Sequence, residues 1–275
     1  MNSDLWNYLA NWLNDNERSR LMMTSKNMML LNFLFNEKHN YLDIFKSSFY
    51  HNFTNITIGD HIVSMGKISY DGHIDVLPNN LRKLIIDNHT RCKINENAIP
   101  CGVKHVTFNS FEKYSLKGCI PSTVTHLFFN KFNTNSELAI NGYIPISVSH
   151  LKINNSFKLQ MKIPTNVKYL SLNVISDYIV PKSVTHLRFQ QFNSPALINS
   201  IPSSVTHLIY DNYCGNLFSI PSTVARITLG KYFGDYLNFP KTIKSITLHK
   251  NYVHDIPESL KDICVIGSHK YFYDN

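Results

Sequence analysis

The ten residues Ile201–Tyr210 read Ile-Pro-Ser-Ser-Val-Thr-His-Leu-Ile-Tyr, and similar decapeptides recur along the chain. Close copies begin at Ile120 (IPSTVTHLFF), Ile144 (IPISVSHLKI) and Val180 (VPKSVTHLRF), and ten of the eleven prolines occupy the second position of a copy. Self-similarity at a period of roughly 20 residues is typical of repeat architectures. The sequence therefore predicts a chain built from stacked copies of one structural unit.

Three apolar positions define each copy, and we name them a, b and c in the pattern apolar-Pro-x-x-a-x-x-b-x-c. All eleven copies fill a, b and c with apolar or aromatic residues, in a chain that is 43% apolar overall. Positions b and c are two residues apart, so they point to one face of a strand. The copies are Phe53-Ile56-Ile58 (which lacks the proline), Leu81-Leu84-Ile86, Val103-Val106-Phe108, Val124-Leu127-Phe129, Val148-Leu151-Ile153, Val167-Leu170-Leu172, Val184-Leu187-Phe189, Val205-Leu208-Tyr210, Val224-Ile227-Leu229, Ile243-Ile246-Leu248 and Leu260-Ile263-Val265.

A single strand of this kind cannot bury its apolar side alone, whereas parallel stacking of many copies buries a continuous core. The spacing a-x-x-b-x-c is also that of the leucine-rich repeat. We therefore predict a mainly β, leucine-rich-repeat-like solenoid of about eleven coils over residues 51–275, with one short parallel strand per coil. Residues 60–75 interrupt the first two copies and are expected to form an irregular insertion.

The net charge and the cysteine content limit the cellular compartments and the classes of partner that the sequence favours. The net charge is +8, but no run of four basic residues exists, so dispersed surface lysines are favoured over a basic nucleic-acid binder, which stays a less favoured alternative. The five cysteines form no C-x-x-C pair, so neither a disulfide framework nor a zinc site is indicated. Residues 1–4 carry no basic n-region, so no secretory signal is expected. We expect a cytoplasmic protein, with the nucleus possible, and no membrane partner.

The repeated string is similar to a repeat of a known family. The string Ile201–Leu208, with Phe192-Asn193-Ser194-Pro195 ahead of it, resembles the FNIP repeat, a short relative of the leucine-rich repeat. That family is best known from social amoebae and from the giant viruses that infect them. The resemblance covers about residues 77–265 and implies a protein–protein interaction module, in host cytoplasm if the chain is viral.

The N-terminal fifty residues lack the proline pattern, and Leu5, Leu9 and Leu13 recur at helical spacing. Ser3, Asn16 and Ser25 are suitable N-caps for three short helices. We therefore predict a small α-helical segment over residues 1–50, distinct from the solenoid over 51–275. Such helices would also serve as a cap that shields the open apolar end of the first coil, as solenoids require.

The string from Leu5 to Leu31 resembles an F-box, a three-helix module that docks on a Skp1-type adaptor of a cullin ubiquitin ligase. It departs from the F-box pattern by lacking the opening Leu-Pro and the aromatic residue after the third-helix lysine. The resemblance implies a substrate-recognition subunit of such a ligase, with an unknown protein target. The residues implied in adaptor contact are Leu5, Leu9, Trp12, Leu13, Leu21 and Met22.

The residue before b is predicted to face outward, where it forms a column rich in histidine. Adjacent parallel strands lie about 4.8 Å apart, so these side chains run parallel and do not converge on one ion. We expect a ladder of stacked imidazoles, each beside a hydroxyl such as Thr125, Thr185 or Thr206, and no bound metal or other cofactor. With the outward residues between b and c, the column forms the candidate target-binding face: His126, Phe128, His150, Lys152, Tyr169, His186, Arg188, His207 and Ile209.

Catalysis finds no support, because the sequence has no G-x-S-x-G, P-loop, H-E-x-x-H or Rossmann glycine pattern. We therefore expect a non-enzymatic interaction protein. Two functions remain open, and they differ in the role of residues 1–45. The chain is either a receptor that links a target to a ubiquitin ligase, or a stand-alone scaffold or decoy whose helices only cap the solenoid.

Overall fold

The computed structural model describes the repeat copies and their strands. The described residues are 13, 14, 17, 20, 39–40, 54–58, 61–63, 66–68, 73–74, 77–86, 93–109, 116, 118–130, 144–154, 162–174, 179–192, 201–211, 220–233 and 239–267. The chain divides into two compact units: Met1–Ser110 with Leu116–Val124, and Phe111–Ser115 with Thr125–Asn275.

The first unit contains a run of parallel strands in the order β1-β2-β6-β8, with each neighbouring pair in register. The predicted insertion holds an antiparallel pair, β3 with β4, and β5 pairs in parallel with β7. The strands are β1 (His39–Asn40), β2 (Asn55–Ile58), β3 (His61–Val63), β4 (Gly66–Ile68), β5 (His73–Ile74), β6 (Lys83–Ile86), β7 (Lys93–Ile94) and β8 (His105–Phe108).

The second unit contains eight strands that are parallel to their neighbours and follow one another in chain order. They are β9 (His126–Phe129), β10 (His150–Ile153), β11 (Tyr169–Val174), β12 (His186–Phe192), β13 (His207–Tyr210), β14 (Arg226–Leu229), β15 (Ser245–His249) and β16 (Cys264–Gly267). A 3-10 helix, Glu258–Ile263, precedes β16. The fold is thus a mainly β parallel solenoid with almost no helix in its described part, as the repeat predicts.

The prolines act at a turn that leads into the strand. In all ten proline-bearing copies, the N–H of residue a donates to the proline C=O at 2.9–3.3 Å, closing a four-residue turn. In seven of these copies the carbonyl of the residue after a accepts two bonds from the next coil, as when Thr185 O accepts from Thr206 N and His207 N. The recurring sequence therefore reproduces the same turn in all ten copies and the same link to the next coil in these seven.

The core consists of the a, b and c columns. Val205, Leu208 and Tyr210 are at most 1% exposed, and the equivalent residues of the copies from Leu81 to Leu248 are all buried. Within β8, β9 and β10 the exposure alternates along the strand, so that b and c face inward as predicted.

The last copy departs from the predicted register by one residue. Ile246 pairs with Cys264, and Leu248 pairs with Ile266, so the inward alignment of Ile263 and Val265 was wrong. Val265 and Ile266 are 60% and 67% exposed. The 3-10 helix replaces the plain turn of the other copies and adds one residue before the strand.

The predicted N-terminal helices fall largely outside the described residues, and the structure does not support a helical cap. Glu17 and Arg20 have helical backbone conformation. Asn14 and Glu17 exchange bonds, Asn14 N to Glu17 Oε2 at 2.9 Å and Glu17 N to Asn14 Oδ1 at 3.0 Å. This is a capping box with Asn14 at the N-cap position, and the predicted cap Asn16 lies outside the described residues. Residues His39–Asn40, which no sequence pattern indicated, form β1.

Candidate interaction surface

Five aromatic rings stack in a column on the outward side of the sheet in the second unit, and we call this column the ring ladder. The rungs are in register across β9 to β13, one per strand: His126, His150, Tyr169, His186 and His207. Ring centroids of successive rungs are 4.0, 4.1, 4.4 and 4.1 Å apart, with interplanar angles of 7–29°. The predicted stack of imidazoles is therefore confirmed.

A hydroxyl precedes every histidine of the ladder and lies 2.9 Å from its Nδ1. The four pairs are Thr125–His126, Ser149–His150, Thr185–His186 and Thr206–His207. Three of these hydroxyls also reach the carbonyl of the preceding coil at 3.3–3.4 Å, as Thr206 Oγ1 reaches Thr185 O. The Thr-His pair of the repeat thus fixes the orientation of each ring and links it to the coil before it.

Arg226 follows His207 in the same column and settles the tautomer of that histidine. Arg226 Nη1 lies 2.8 Å from His207 Nε2. Guanidinium nitrogens only donate, so Nε2 must accept, and the neutral ring carries its proton on Nδ1. His207 Nδ1–H then donates to Thr206 Oγ1, which leaves the hydroxyl proton for the carbonyl of Thr185. The bonds therefore run in one direction from Arg226 into the preceding coil.

Burial and neighbouring charge keep these histidines neutral. Burial, then the neighbouring rings of His207 and His150, and then Arg226, lower the pKa of His186 to about 4. Burial and the Arg226 guanidinium lower the pKa of His207. In the first unit, burial and Lys83 lower the pKa of His105, the outward residue of β8. At neutral pH the rings of His186 and His207 are therefore uncharged.

The second predicted column, between b and c, is less exposed than expected. Ile209 is 6% exposed and Ser171 is fully buried, so neither presents a side chain to a partner. Ile209 was predicted as part of the target-binding face, and its burial corrects that assignment. Phe128 is partly exposed, meets His126 edge-on at 6.3 Å, and is in register with Lys152 on the next strand.

Arg188 forms an ion pair that the sequence reading did not anticipate. Its Nε and Nη2 lie 2.8 and 2.6 Å from Asp211 Oδ2, and the two side chains are 11% and 15% exposed. The predicted cationic contribution of Arg188 to the face is therefore largely neutralised.

Asp211 belongs to a polar column that the sequence did contain, at the residue after c. There Asn173 Nδ2 donates to Asn154 Oδ1 at 2.8 Å, and Gln190 Nε2 donates to Ser171 Oγ at 2.9 Å. The signal that would have revealed this column is the recurrence of Asn109, Asn130, Asn154, Asn173, Gln190 and Asp211 one residue after c.

The predicted adaptor-binding residues Leu5, Leu9, Trp12, Leu21 and Met22 lie outside the described residues. Leu13 is described and is partly exposed. Among the described residues, no cluster of three His, Cys, Asp or Glu side chains could hold a metal ion. Within the same part of the chain, no helix has the length and apolar character needed to cross a bilayer.

The comparisons with known proteins agree with this geometry. The FNIP repeat model matches residues 92–132 and 177–210, which include β8, β9, β12 and β13. No curated protein has a significantly similar sequence. A leucine-rich-repeat-like chain with FNIP-type repeats is therefore the class of protein that the fold and the matches support.

Two solved structures are similar to the chain. CroV588, described as a novel circular LRR protein, has a TM-score of 0.53 and 23% identity over 80% of this chain and 33% of its own. The chain thus spans about a third of the length of that protein, and the similarity supports the fold alone. YopM from Yersinia enterocolitica WA-314 matches at a TM-score of 0.34 and 15% identity, over 71% of this chain and 42% of its own.

Proposed function

We propose that this chain binds a protein target through the ring ladder face and that residues 1–50 connect it to a Skp1-type adaptor of a ubiquitin ligase. The observation that carries the first half is the ladder itself, which repeats one partly exposed aromatic edge on every strand from β9 to β13. Regular exposed faces of solenoids are the surfaces on which such proteins bind their partners. In this function the chain supplies proximity in the cytoplasm and no chemistry of its own.

Support for the second half comes from the F-box-like string between Leu5 and Leu31 and from the capping box of Asn14 and Glu17. Asn14 and Glu17 lie at the polar turn that the F-box resemblance expects between two helices. Leu9 and Leu13 precede this turn, and their four-residue spacing predicts that they share one side of a helix.

Co-purification of the full chain with a Skp1-type adaptor tests the connection. We expect a one-to-one complex that the double substitution Leu9→Asp/Leu13→Asp weakens at least about tenfold, because charge at an apolar contact is costly to desolvate. The matched control is Ile179→Asp, an apolar-to-acid change at a side chain that is 85% exposed in the second unit. A well-folded full chain that does not bind the adaptor would overturn this half and leave a stand-alone scaffold.

Photo-crosslinking tests the target-binding half. A benzoylphenylalanine at Phe128, beside the ladder, should crosslink to a discrete polypeptide in cells, whereas the same residue at Tyr232, which is 52% exposed and lies after β14, should not. Equal crosslinking at both positions would contradict binding on the ladder face.

A further inference from the structure

We propose that the ring ladder and the basic side chains beside it bind an acidic segment of a polypeptide. This inference rests on the proposed function and adds the chemistry of the partner. It is carried by three features of the second unit: its charge, the placement of three cations along the ladder, and the stacking of the rings.

Basic residues outnumber acidic ones threefold between residues 125 and 250, where the sequence has twelve Lys and Arg and four Asp and Glu. Of the acidic residues, Asp211 is bound to Arg188. The basic residues that the structure describes in this range are Lys152, Lys162, Lys168, Lys182, Arg188, Arg226, Lys231, Lys241, Lys244 and Lys250. A surface with this balance favours partners of negative charge and speeds their association.

Three exposed cations lie beside the ladder or extend it. Lys168 directly precedes the rung Tyr169, and Arg226 pairs in register with the rung His207 on the neighbouring strand. Lys244 precedes Ser245, which is the next residue of the same column. The three thus follow the ladder along the direction in which the strands stack, the path that an extended partner would take.

The stacking of the rings favours a polypeptide over a nucleic acid. Single-stranded nucleic acids bind aromatic platforms by stacking bases on open ring faces. Here the faces of His150, Tyr169 and His186 are covered on both sides by neighbouring rungs at 4.0–4.4 Å, so these rungs offer edges. Carboxylates accept hydrogen bonds from such edges and do not need a ring face.

The experiment measures binding of a labelled (Glu-Ser)6 peptide to the full chain by fluorescence anisotropy at 0.15 M salt, with (Gln-Ser)6 as the uncharged probe. We expect the acidic peptide to bind at least about tenfold more tightly than the uncharged peptide. The variant Lys168→Gln/Arg226→Gln/Lys244→Gln should lose at least about tenfold in affinity. The control Lys162→Gln/Lys250→Gln/Lys261→Gln removes the same charge outside the ladder and should retain binding.

Three results would overturn the proposal. Equal loss in the two triple variants would show attraction by net charge alone. Tighter binding of a dT12 oligonucleotide, lost in the ladder variant, would assign the face to nucleic acid. Failure of the acidic peptide, together with a discrete crosslink at Phe128, would reject an acidic partner while the proposed function stands.

Discussion

Asp211 determines what Arg188 contributes to the outward face. Two guanidinium nitrogens converge on one carboxylate oxygen at 2.6 and 2.8 Å, and both side chains are largely covered. A charge-assisted bond in such surroundings is stronger than a surface ion pair, and removing one partner leaves the other poorly solvated.

The substitution Asp211→Asn should therefore destabilise the protein by about 1–3 kcal/mol, since Arg188 keeps its charge and loses its counter-ion. Urea-induced unfolding measures the change. The control is Glu258→Gln, which removes the carboxylate of an exposed pair with Lys261 and should leave the urea midpoint unchanged. Similar effects of the two substitutions would show that the Arg188 pair behaves as an ordinary surface pair.

The ladder histidines couple stability to pH. The folded-state pKa of His186 is about 4, below the ordinary value of 6.5, and the pKa of His207 is lowered as well. Between pH 6.5 and pH 4 these two histidines bind protons in the unfolded chain but less so in the folded protein. Their contribution to the free energy of unfolding therefore falls as the pH falls through this range and is constant above it.

We expect the melting temperature to drop by a few degrees between pH 7 and pH 5, and the drop to be smaller in His186→Tyr. Tyrosine is a suitable replacement because Tyr169 already occupies the adjacent rung. Thermal unfolding followed by circular dichroism at both pH values makes the comparison. A variant with the same pH dependence as the natural sequence would contradict a role for His186.

Within a single coil, nearly every residue of the string Ile-Pro-Ser-Ser-Val-Thr-His-Leu has an identifiable structural role. Pro202 closes the turn with Val205, and Ser204 Oγ donates to Val184 O of the preceding coil at 2.8 Å. Thr223 and Ser183 make the equivalent bond in their coils. Thr206 orients His207, and Val205 and Leu208 fill the core.

Gly230 occupies the residue after c that directly follows β14, where the six copies from Val103 to Tyr210 carry Asn, Gln or Asp. A Cβ there would lie 1.6 Å from the backbone oxygen of Asp211, which cannot move without disturbing the neighbouring coil. Gly230 N also donates to Tyr210 O at 2.6 Å, which shows how closely the two coils approach.

Gly230→Ala should thus destabilise the protein by more than about 2 kcal/mol, because the backbone has to separate. Chemical denaturation measures the loss. Gly267→Ala is the matched control, since its Cβ would meet Thr247 Cγ2 at 3.6 Å, an ordinary contact. A neutral Gly230→Ala would mean that the two coils can part without penalty.

The sequence predicted the strands and the ladder because both depend on contacts between equivalent positions of adjacent copies. It did not predict the register of β16, because the 3-10 helix at Glu258–Ile263 adds a residue and no later strand of the described sheet pairs with β16. Nor could it predict the bonds of Arg226 and Asp211. Those depend on how far a side chain reaches into the next coil, which the repeat pattern does not specify.

Across the whole molecule, stability should follow the position of a coil in the stack. A solenoid is held by contacts of each coil with its neighbours, so inner coils are covered on two sides and terminal ones on one. Two isoleucines of adjacent coils differ in this way: Ile246 in β15 is fully buried, whereas Ile263 at the end of the 3-10 helix is partly exposed.

Ile246→Ala should destabilise the protein by about 2–5 kcal/mol, whereas Ile263→Ala should destabilise it by less than about 1 kcal/mol. The two changes remove the same atoms, so the difference reports burial alone. Equilibrium denaturation of both variants gives the comparison. Equal losses would indicate that the last coil is covered as fully as the one before it.

The paired bonds at the residue after a give the stack chemically different ends. In the second unit, each coil from β10 to β15 donates two N–H groups to the carbonyl of the coil before it, and the hydroxyls of Ser204 and Thr223 donate in the same direction. Coils joined in this way form a stack whose hydrogen bonds all run in one direction. A segment that packs on the first coil of such a stack must offer hydrogen-bond acceptors, because that coil presents N–H groups. A segment that packs on the last coil must offer donors, because that coil presents carbonyl groups. The two capping segments are therefore not interchangeable.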